Sequence, residues 1–225
     1  RRNHELYGHR LLMDTLVPGG VAHDLPSSAM EELRAEHHTL RDAMAPVFDI
    51  VGDHPSLEDR LLGTGRLSHD DARTLGCTGY VAKASGLGFD LRHDVAYAPY
   101  DQLNVAVPVF EDGDVAARVR VRMQEVEGSL ALMDQLLDTL PAGDIAKDLS
   151  DPSAGASGLG LIEGWRGEIL SFVRFDEAGR IARFFPRDPS WFLWPALERL
   201  IHGNIVPDFP VCNKSVNGSY SGHDL

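Results

Sequence analysis

The chain has 225 residues, of which 43% are hydrophobic and 24% charged, values typical of a globular protein with a substantial core. Its net charge of −13 argues against a surface for nucleic acid or anionic lipid, because both require an excess of Lys and Arg. No run of about 18 apolar residues predicts a membrane span, and two cysteines, Cys77 and Cys212, favour a reducing, intracellular environment over a disulfide framework.

The first predicted element is a helix over residues 2–16, which ends at the helix-breaking run Val17-Pro-Gly-Gly20. The sequence opens at Arg1, without a methionine and inside this helical pattern. We therefore expect it to be the C-terminal part of a longer polypeptide. A turn at Asp24-Leu-Pro26 separates this helix from the next element.

A long amphipathic helix is predicted to begin at Ser28 and to bend or end near Pro46. Ser28 and Glu31 have the spacing of a capping box, in which two side chains satisfy free backbone N–H groups at the helix start. Apolar positions recur at intervals of three and four residues, which places them on one face. They are Met30, Leu33, His37, Leu40, Met44, Val47 and Val51.

Shorter elements are predicted in the middle of the chain. A helix covers residues 57–62, and Ser68 is placed to cap another helix, whose first turn carries acids that suit the positive helix end. Residues 76–92 are rich in small side chains, which permit close approach of neighbouring backbones. Residues 93–113 are predicted to cross the surface in an extended conformation.

The longest helix is predicted from Asp114 to Leu140, where the run Pro141-Ala-Gly143 ends it. Its apolar positions form one stripe, which is expected to face the core. They are Val115, Val119, Met123, Val126, Leu130, Met133, Leu137 and Leu140. A flexible connector over residues 144–158 follows.

After this connector the period of the apolar pattern changes from about 3.6 residues to 2, which indicates strands. Three antiparallel strands are predicted, at residues 159–162, 168–175 and 180–185. A helix over residues 190–202 and an irregular tail over residues 203–225 complete the prediction.

Several short motifs follow one another along almost the whole chain. They are His9-Arg-Leu-Leu-Met-Asp14, Gly19-Gly-Val21, Asp24-Leu-Pro26, Gly65-Arg-Leu-Ser-His-Asp-Asp-Ala72, Asp90-Leu-Arg92, Tyr100-Asp101, the helix from Arg118 to Leu140, and Glu163-Gly-Trp-Arg-Gly-Glu168. Their joint order resembles the large subunit of energy-converting, formate hydrogenlyase-type nickel–iron hydrogenases and the 49-kDa-type subunit of respiratory NADH:quinone oxidoreductase. Each motif alone is weak, so the order of the motifs carries the resemblance.

The resemblance implies a mainly α fold with a small antiparallel β element, arranged as a helical bundle like that of hydrogenase large subunits and truncated at its N-terminus. Residues 1–150 would form the helical portion. Residues 151–225 would add the β-hairpin element, a helix and the C-terminal tail of the same domain. The change of apolar period after the connector agrees with this division.

The tail departs from the family at the positions that would hold nickel. In the hydrogenases a C-terminal Asp-Pro-Cys-x-x-Cys element supplies two thiolates, whereas the matching run here has Ser219 and Gly222 in place of the cysteines. A serine hydroxyl is a poor ligand for a metal that prefers thiolates, and glycine has no side chain. We therefore expect a vestigial site without metal.

The run Glu163-Gly-Trp-Arg166-Gly resembles the family's Glu-x-Pro-Arg-Gly, whose arginine lies over the metal site in hydrogenases. The resemblance implies catalytic roles for Arg166 and Glu163, because a fixed guanidinium can orient acids or stabilise an anion. The alternative is a surface arginine in a hairpin turn.

A residual metal site is a further candidate, and its residues would be Cys212, His223 and Asp224. The alternative is a buried structural cysteine and a solvated tail.

Two other patterns support an independent metalloenzyme or hydrolase only weakly. His4 and His9 are five residues apart rather than the four of the zinc motif His-Glu-x-x-His, which turns the second ring about 140° from the first. Ser68-His69-Asp70 contains the residue types of a catalytic triad, but sequence neighbours cannot face one another as a triad requires.

The resemblance implies an oxidoreductase subunit of an NADH:quinone oxidoreductase or membrane-bound hydrogenase-like complex, without its nickel ligands. The chain would hold no cofactor itself and would be inactive alone. A small iron–sulfur subunit beside it would carry the cluster, and quinone would bind only in the full-length complex. The expected location is cytoplasmic, on the cytoplasmic face of the inner membrane. The alternative is a metal-free structural or assembly protein on the same scaffold, without redox activity.

Overall fold

The computed structural model describes residues 1–224, and Leu225, the last residue of the predicted tail, lies outside it. The helices are α1 (Arg2–Tyr7), α2 (Ser27–Gly52), α3 (Pro55–Leu61), α4 (His69–Thr74), α5 (Gly79–Lys83), α6 (Leu91–Asp94), α7 (Val115–Thr139), α8 (Ser190–Leu200), α9 (Phe209–Val216) and α10 (Tyr220–His223). The strands are β1 (Leu16–Val17), β2 (Gly20–Val21), β3 (Ser157–Gly164), β4 (Gly167–Phe175) and β5 (Ile181–Arg187). The predicted mainly α fold with a small antiparallel β element is confirmed.

The three predicted strands are confirmed as an antiparallel sheet in the order β3-β4-β5. Gly164 pairs with Gly167 across a two-residue turn, and the register continues to Ser157 opposite Arg174. Gly167 has a φ of +125°, and a Cβ added there would lie 2.0 Å from Thr78 Oγ1. Glycine is therefore required for this turn to approach the start of α5.

Helix α2 starts one residue before the predicted start and runs through Pro46 without ending. The predicted capping box is absent, because Pro26 takes the N-cap position and no side chain caps the helix. Pro46 is exposed, so water can bond the carbonyl group that the proline leaves free. Of the predicted apolar stripe of α2, only His37 is buried. The helix packs against α7 on one side, and Val47 of the stripe remains exposed.

Both ends of the chain differ from the prediction. The predicted helix over residues 2–16 ends at Tyr7, because Gly8 takes the left-handed conformation (φ 72°) that closes a helix. The predicted irregular tail instead contains α9 and α10. Pro210 lies in the first turn of α9, where its missing N–H costs no hydrogen bond, and Ser219 caps α10.

Helix α7 begins and ends close to the predicted positions, and the Asp114 carboxylate caps it by accepting from the Ala117 N–H (2.8 Å). Val115 and Leu130 of the predicted stripe are buried, but the rest of the buried face differs from the prediction and is formed by Ala117, Arg118, Val121 and Leu132. Arg118 is the reason for the error, because a charged residue does not count towards an apolar stripe although here it occupies the core.

The core joins residues from both halves of the chain. Its buried apolar residues are Leu67, Ala72, Cys77, Tyr80, Val81, Ala82, Ala84, Ala117, Val121, Leu193, Ala196, Leu197, Leu200, Cys212 and Val216. Both cysteines are free. The helices that residues 1–224 form include none long and apolar enough to cross a membrane.

Arg118 lies fully buried at the centre of this core. Its Nε donates to Ser215 Oγ (3.0 Å), and its two NH₂ groups donate to the carbonyl oxygens of Gly113 (2.7 Å) and Gly65 (2.8 Å). Burial lowers the pKa of Arg118 to about 10, so the guanidinium stays charged at neutral pH. One side chain therefore connects α7, the loop before α4, and α9.

Replacing Arg118 by Met should destabilise the protein by on the order of 3 kcal/mol, because two carbonyl groups and a hydroxyl lose their buried donors. Urea unfolding of Arg118→Met measures this loss. Arg73→Met, at a surface ion pair with Asp70, is the control and should cost less than about 1 kcal/mol. Equal losses for the two variants would contradict a central role for Arg118.

Candidate functional site

The turn between β3 and β4 is held against the C-terminal segment. The Trp165 ring stacks on the Tyr80 ring with 5.5 Å between centroids and 6° between planes. The Arg166 guanidinium lies 4.2 Å from the Trp165 centroid, and its Nε donates to the Asn217 carbonyl (2.7 Å). Arg166 is therefore a half-buried, fixed cation next to the tail rather than a free surface arginine.

Tyr80 holds the same C-terminal segment from within the core. Its ring is completely buried, and its hydroxyl donates to the carbonyl groups of Ser215 (2.9 Å) and Val216 at the end of α9. Burial raises the pKa of Tyr80 to about 12, so it remains neutral. Tyr80 thus fixes the end of α9, from which the chain continues into the two predicted vestigial positions.

Those two positions, Ser219 and Gly222, are both engaged in contacts within the tail and with α8. The Ser219 hydroxyl accepts from the Gly222 N–H (3.0 Å) and so caps α10. A Cβ added at Gly222 would lie 2.6 Å from Cγ of Asp188. The Asp188 carboxylate therefore fills the space that a side chain at position 222 would need, and it also accepts from the Ser190 N–H (2.8 Å) at the start of α8.

Glu163, the other predicted catalytic residue, lies at the end of β3 and points towards α6. Its Oε2 accepts from the Leu91 N–H (3.1 Å). Its Oε1 is buried without a hydrogen-bond partner among residues 1–224. Burial is the main reason that the pKa of Glu163 rises to about 7, and the nearby Asp90 carboxylate adds to it. This carboxyl can therefore exchange a proton near neutral pH.

A buried cluster of charges surrounds Glu163. Lys83 Nζ donates to Asp90 Oδ2 (2.7 Å) and to Glu125 Oε1 (2.8 Å), and Arg92 bonds the same Asp90 carboxylate (2.8 Å). Burial opposes ionisation of Asp90, but the hydrogen bonds from Arg92 and Lys83 outweigh it and lower its pKa to about 2. Burial likewise works against the Lys83 cation, yet its two carboxylate partners raise its pKa. Lys83 and Asp90 therefore stay ionised at neutral pH, and Glu163 is their titrating neighbour.

Sequence reasoning missed most of this cluster. Asp90 and Arg92 enter the prediction only as part of a motif, and Lys83 and Glu125 do not enter it. The available signal is a lysine inside a run of small, apolar residues, since a buried lysine requires acidic partners. Asp188, which fills the space at Gly222, carries no signal in the sequence.

The structure does not gather the proposed residual metal ligands. Cys212 is fully buried against Gly65 and Arg118, and burial raises the pKa of its thiol. The His223 ring instead packs edge-on against Trp194, with 6.3 Å between centroids, and Asp224 is exposed. Nowhere within residues 1–224 do three His, Cys, Asp or Glu side chains come together as metal ligands could.

Comparison with known proteins identifies the class of this scaffold. The chain is 31% identical to the carbon monoxide-induced hydrogenase of Rhodospirillum rubrum, over 94% of this chain and 59% of that protein. It is 30% identical to a subunit of the NADH-quinone oxidoreductase of Geobacillus thermodenitrificans, over 88% of this chain and 55% of that protein. In a membrane-bound sulfane sulfur reductase, an archaeal respiratory membrane complex, one chain matches with a TM-score of 0.90 and 27% identity, over 99% of this chain and 62% of that chain. The scaffold is that of subunits found in hydrogenases and respiratory complexes.

The family follows from a second comparison. The pattern of the family described as respiratory-chain NADH dehydrogenase, 49 Kd subunit, matches residues 2–158. The chain belongs to this family, and the predicted resemblance to both its hydrogenase and respiratory branches is confirmed. It spans 59% and 55% of the length of the two curated relatives named above.

The raised pKa of Glu163 predicts how stability changes with pH. The folded protein binds this proton more tightly than the unfolded chain, whose glutamate has a pKa near 4.5. The stabilising contribution is therefore present below that value and is lost as the pH rises through about 7. Between about pH 5 and about pH 8, the free energy of unfolding of the unsubstituted protein should fall by on the order of 2 kcal/mol more than that of Glu163→Gln.

Urea unfolding at the two pH values tests this, because taking the difference between the proteins cancels groups that titrate in both. Glu177→Gln, on the exposed turn after β4, is the matched control and should retain the pH dependence of the unchanged protein. An equal pH dependence in Glu163→Gln would show that Glu163 does not titrate in this range.

The contact between Asp188 and position 222 predicts a steric coupling. Gly222→Ala should destabilise the protein by about 1–3 kcal/mol, because the new methyl group overlaps the carboxylate. In a double-mutant cycle with Asp188→Ala, most of this cost should disappear. Gly52→Ala, which has open space around the added methyl, should change stability little. Additive effects of the two substitutions would contradict the contact.

Proposed function

We propose that this chain is part of a subunit of a membrane-associated electron-transfer complex of the NADH:quinone oxidoreductase or hydrogenase type, and that it works without nickel. The observation that carries the proposal is its membership of the 49 kDa subunit family over residues 2–158. The relatives named above include a hydrogenase and a subunit of an NADH-quinone oxidoreductase. The site geometry favours the nickel-free version of this role.

The nickel-free version rests on the chemistry of positions 219 and 222. Nickel in this family's hydrogenase branch would need thiolates there, but the chain offers a hydroxyl that already caps a helix and a glycine without a ligand atom. The Asp188 carboxylate occupies the adjoining space. The residues present therefore do not fit a nickel ion, and no catalytic step is assigned to one.

The groups that remain suit proton exchange and anion binding. Glu163 has a pKa of about 7 beside Asp90 and Lys83, which stay ionised, so its carboxyl can hold or release a proton near neutral pH. Arg166 supplies a permanent cation whose Nε is fixed by Asn217. Reduction of a quinone consumes protons as well as electrons, and we assign Glu163 a proton-exchanging role beside such a reaction in the full-length complex.

The proposal includes partners and a location. A small iron–sulfur subunit would supply electrons, as the resemblance to hydrogenase and respiratory-complex subunits implies. The complex would lie at the cytoplasmic face of the inner membrane and be held there by other subunits. The alternative is a metal-free structural or assembly protein. The buried Glu163 carboxyl, with its pKa of about 7, favours the redox role, because scaffolding alone does not require a titrating carboxyl.

Metal and activity measurements on the full-length protein, purified with its partner subunits, test the proposal. We expect iron in stoichiometric amount, nickel well below one atom per complex, and electron transfer to a quinone. Nickel at one atom per complex would contradict the nickel-free role. An assembled complex with iron but without electron transfer would instead support the structural alternative.

A further inference from the structure

The outer edge of strand β3 is uncovered over most of its length, whereas its end at Glu163 contacts α6. Residues 157–162 are all exposed, including Leu159 (60%) and Leu161 (40%). The strand Ser157–Gly164 contains no proline, no lysine and no bulge. An uncovered, apolar edge strand readily pairs with another strand, and proteins normally prevent this with charges, proline or a bulge.

The backbone groups at this edge can be identified from the register. In an antiparallel pair, alternate residues bond the partner strand and the others point their N–H and C=O groups away from it. The Gly164–Gly167 pair at the two-residue turn is a hydrogen-bonded pair, which fixes the alternation. The residues whose N–H and C=O groups point away from β4 are therefore Ser157, Leu159, Leu161 and Glu163. The Phe175 N–H bonds the Ala156 carbonyl (2.8 Å), which agrees with this alternation.

The opposite edge of the same sheet is protected. Strand β5 pairs with β4 through Phe185 opposite Phe172, so the intervening residues Phe184 and Pro186 point their backbones outward. Pro186 has no N–H to offer at this edge. A β-bulge also interrupts the β4–β5 pairing near Phe175. The contrast between the two edges of one sheet indicates that β3, and not β5, receives another strand.

The charges on one face of the sheet indicate what kind of strand fits. Arg174 lies directly opposite Arg183, and Ser157 pairs with Arg174 in the same row. Like charges opposite one another destabilise a sheet. Neither arginine has a carboxylate within 4.0 Å in the part of the chain that the structure covers. The next row of the same face is apolar and consists of Leu159, Phe172 and Phe185.

We propose that β3 accepts an extended segment of another subunit of the complex, which adds a fourth strand and places an acidic side chain in the row of Arg174 and Arg183 and apolar side chains beside Leu159 and Leu161. The inference rests on the proposed role in a multi-subunit complex. A second copy of this chain fits less well, because two chains of net charge −13 repel each other. Backbone hydrogen bonds would give affinity, and the acidic and apolar side chains would give register.

Hydrogen exchange on the full-length chain, alone and in the purified complex, tests the proposal. The Leu159 and Leu161 amides should exchange rapidly in the free chain and at least about tenfold more slowly in the complex. Protection already in the free chain would assign the edge to another part of the same polypeptide and overturn the proposal. Rapid exchange in an intact complex would overturn it while leaving the proposed function in place. A chain that binds no other subunit would overturn both.

Matched variants test the pairing independently. Leu159→Pro removes an outward N–H without removing a β3–β4 hydrogen bond, and it should weaken complex formation at least about tenfold while the thermal midpoint of the free chain changes little. Phe184→Pro makes the same change at the protected edge and should leave assembly unchanged. Arg183→Glu should pair with Arg174, keep or raise the stability of the free chain, and still weaken the complex. Normal assembly of both Leu159→Pro and Arg183→Glu would overturn the proposal.

Discussion

The structure depends on the cation at the centre of its core, Arg118. Arg118 leaves water completely, and it is stabilised by three polar groups from separate parts of the chain rather than by a contacting carboxylate. Removing a charge from water is costly, so this arrangement holds only when the loop at Gly65, the turn at Gly113 and helix α9 are all in place. The interaction therefore makes the folding of the central core cooperative, and it aligns α9, from which the site's tail continues.

The candidate site places two functional groups at the same end of one hairpin. Glu163, on β3, contacts the start of α6, whereas Arg166, in the turn, contacts the tail after α9. Lys83 and Asp90 hold each other in their charged forms, whereas burial raises the pKa of Glu163 to about 7. Gly167, next to Arg166, lies against Thr78 at the start of α5, so the backbone that carries both groups packs on the helical core. The two groups are thus positioned by backbone geometry rather than by each other.

Much of the fold could be predicted from local sequence signals. The three strands, the limits of α7 and the cap at Ser68, which accepts from the Asp71 N–H (3.1 Å), follow from apolar period, breakers and capping residues. The buried face of α7 could not, because tertiary hydrogen bonds place Arg118 in the core. Of the candidate site, Glu163 and Arg166 are predicted through the family motif, and their catalytic roles stay a prediction. Lys83 and Asp188 were missed, because their roles depend on neighbours that are distant in sequence.

Asp188 has two structural duties at once. Its Oδ1 accepts from the Ser190 N–H at the start of α8, and its carboxylate occupies the space beside Gly222. A cysteine introduced at position 222 would clash with that carboxylate, and removal of the carboxylate would weaken the start of α8. Either single change is disfavoured, so a thiolate at this position would require coordinated changes at positions 188 and 222.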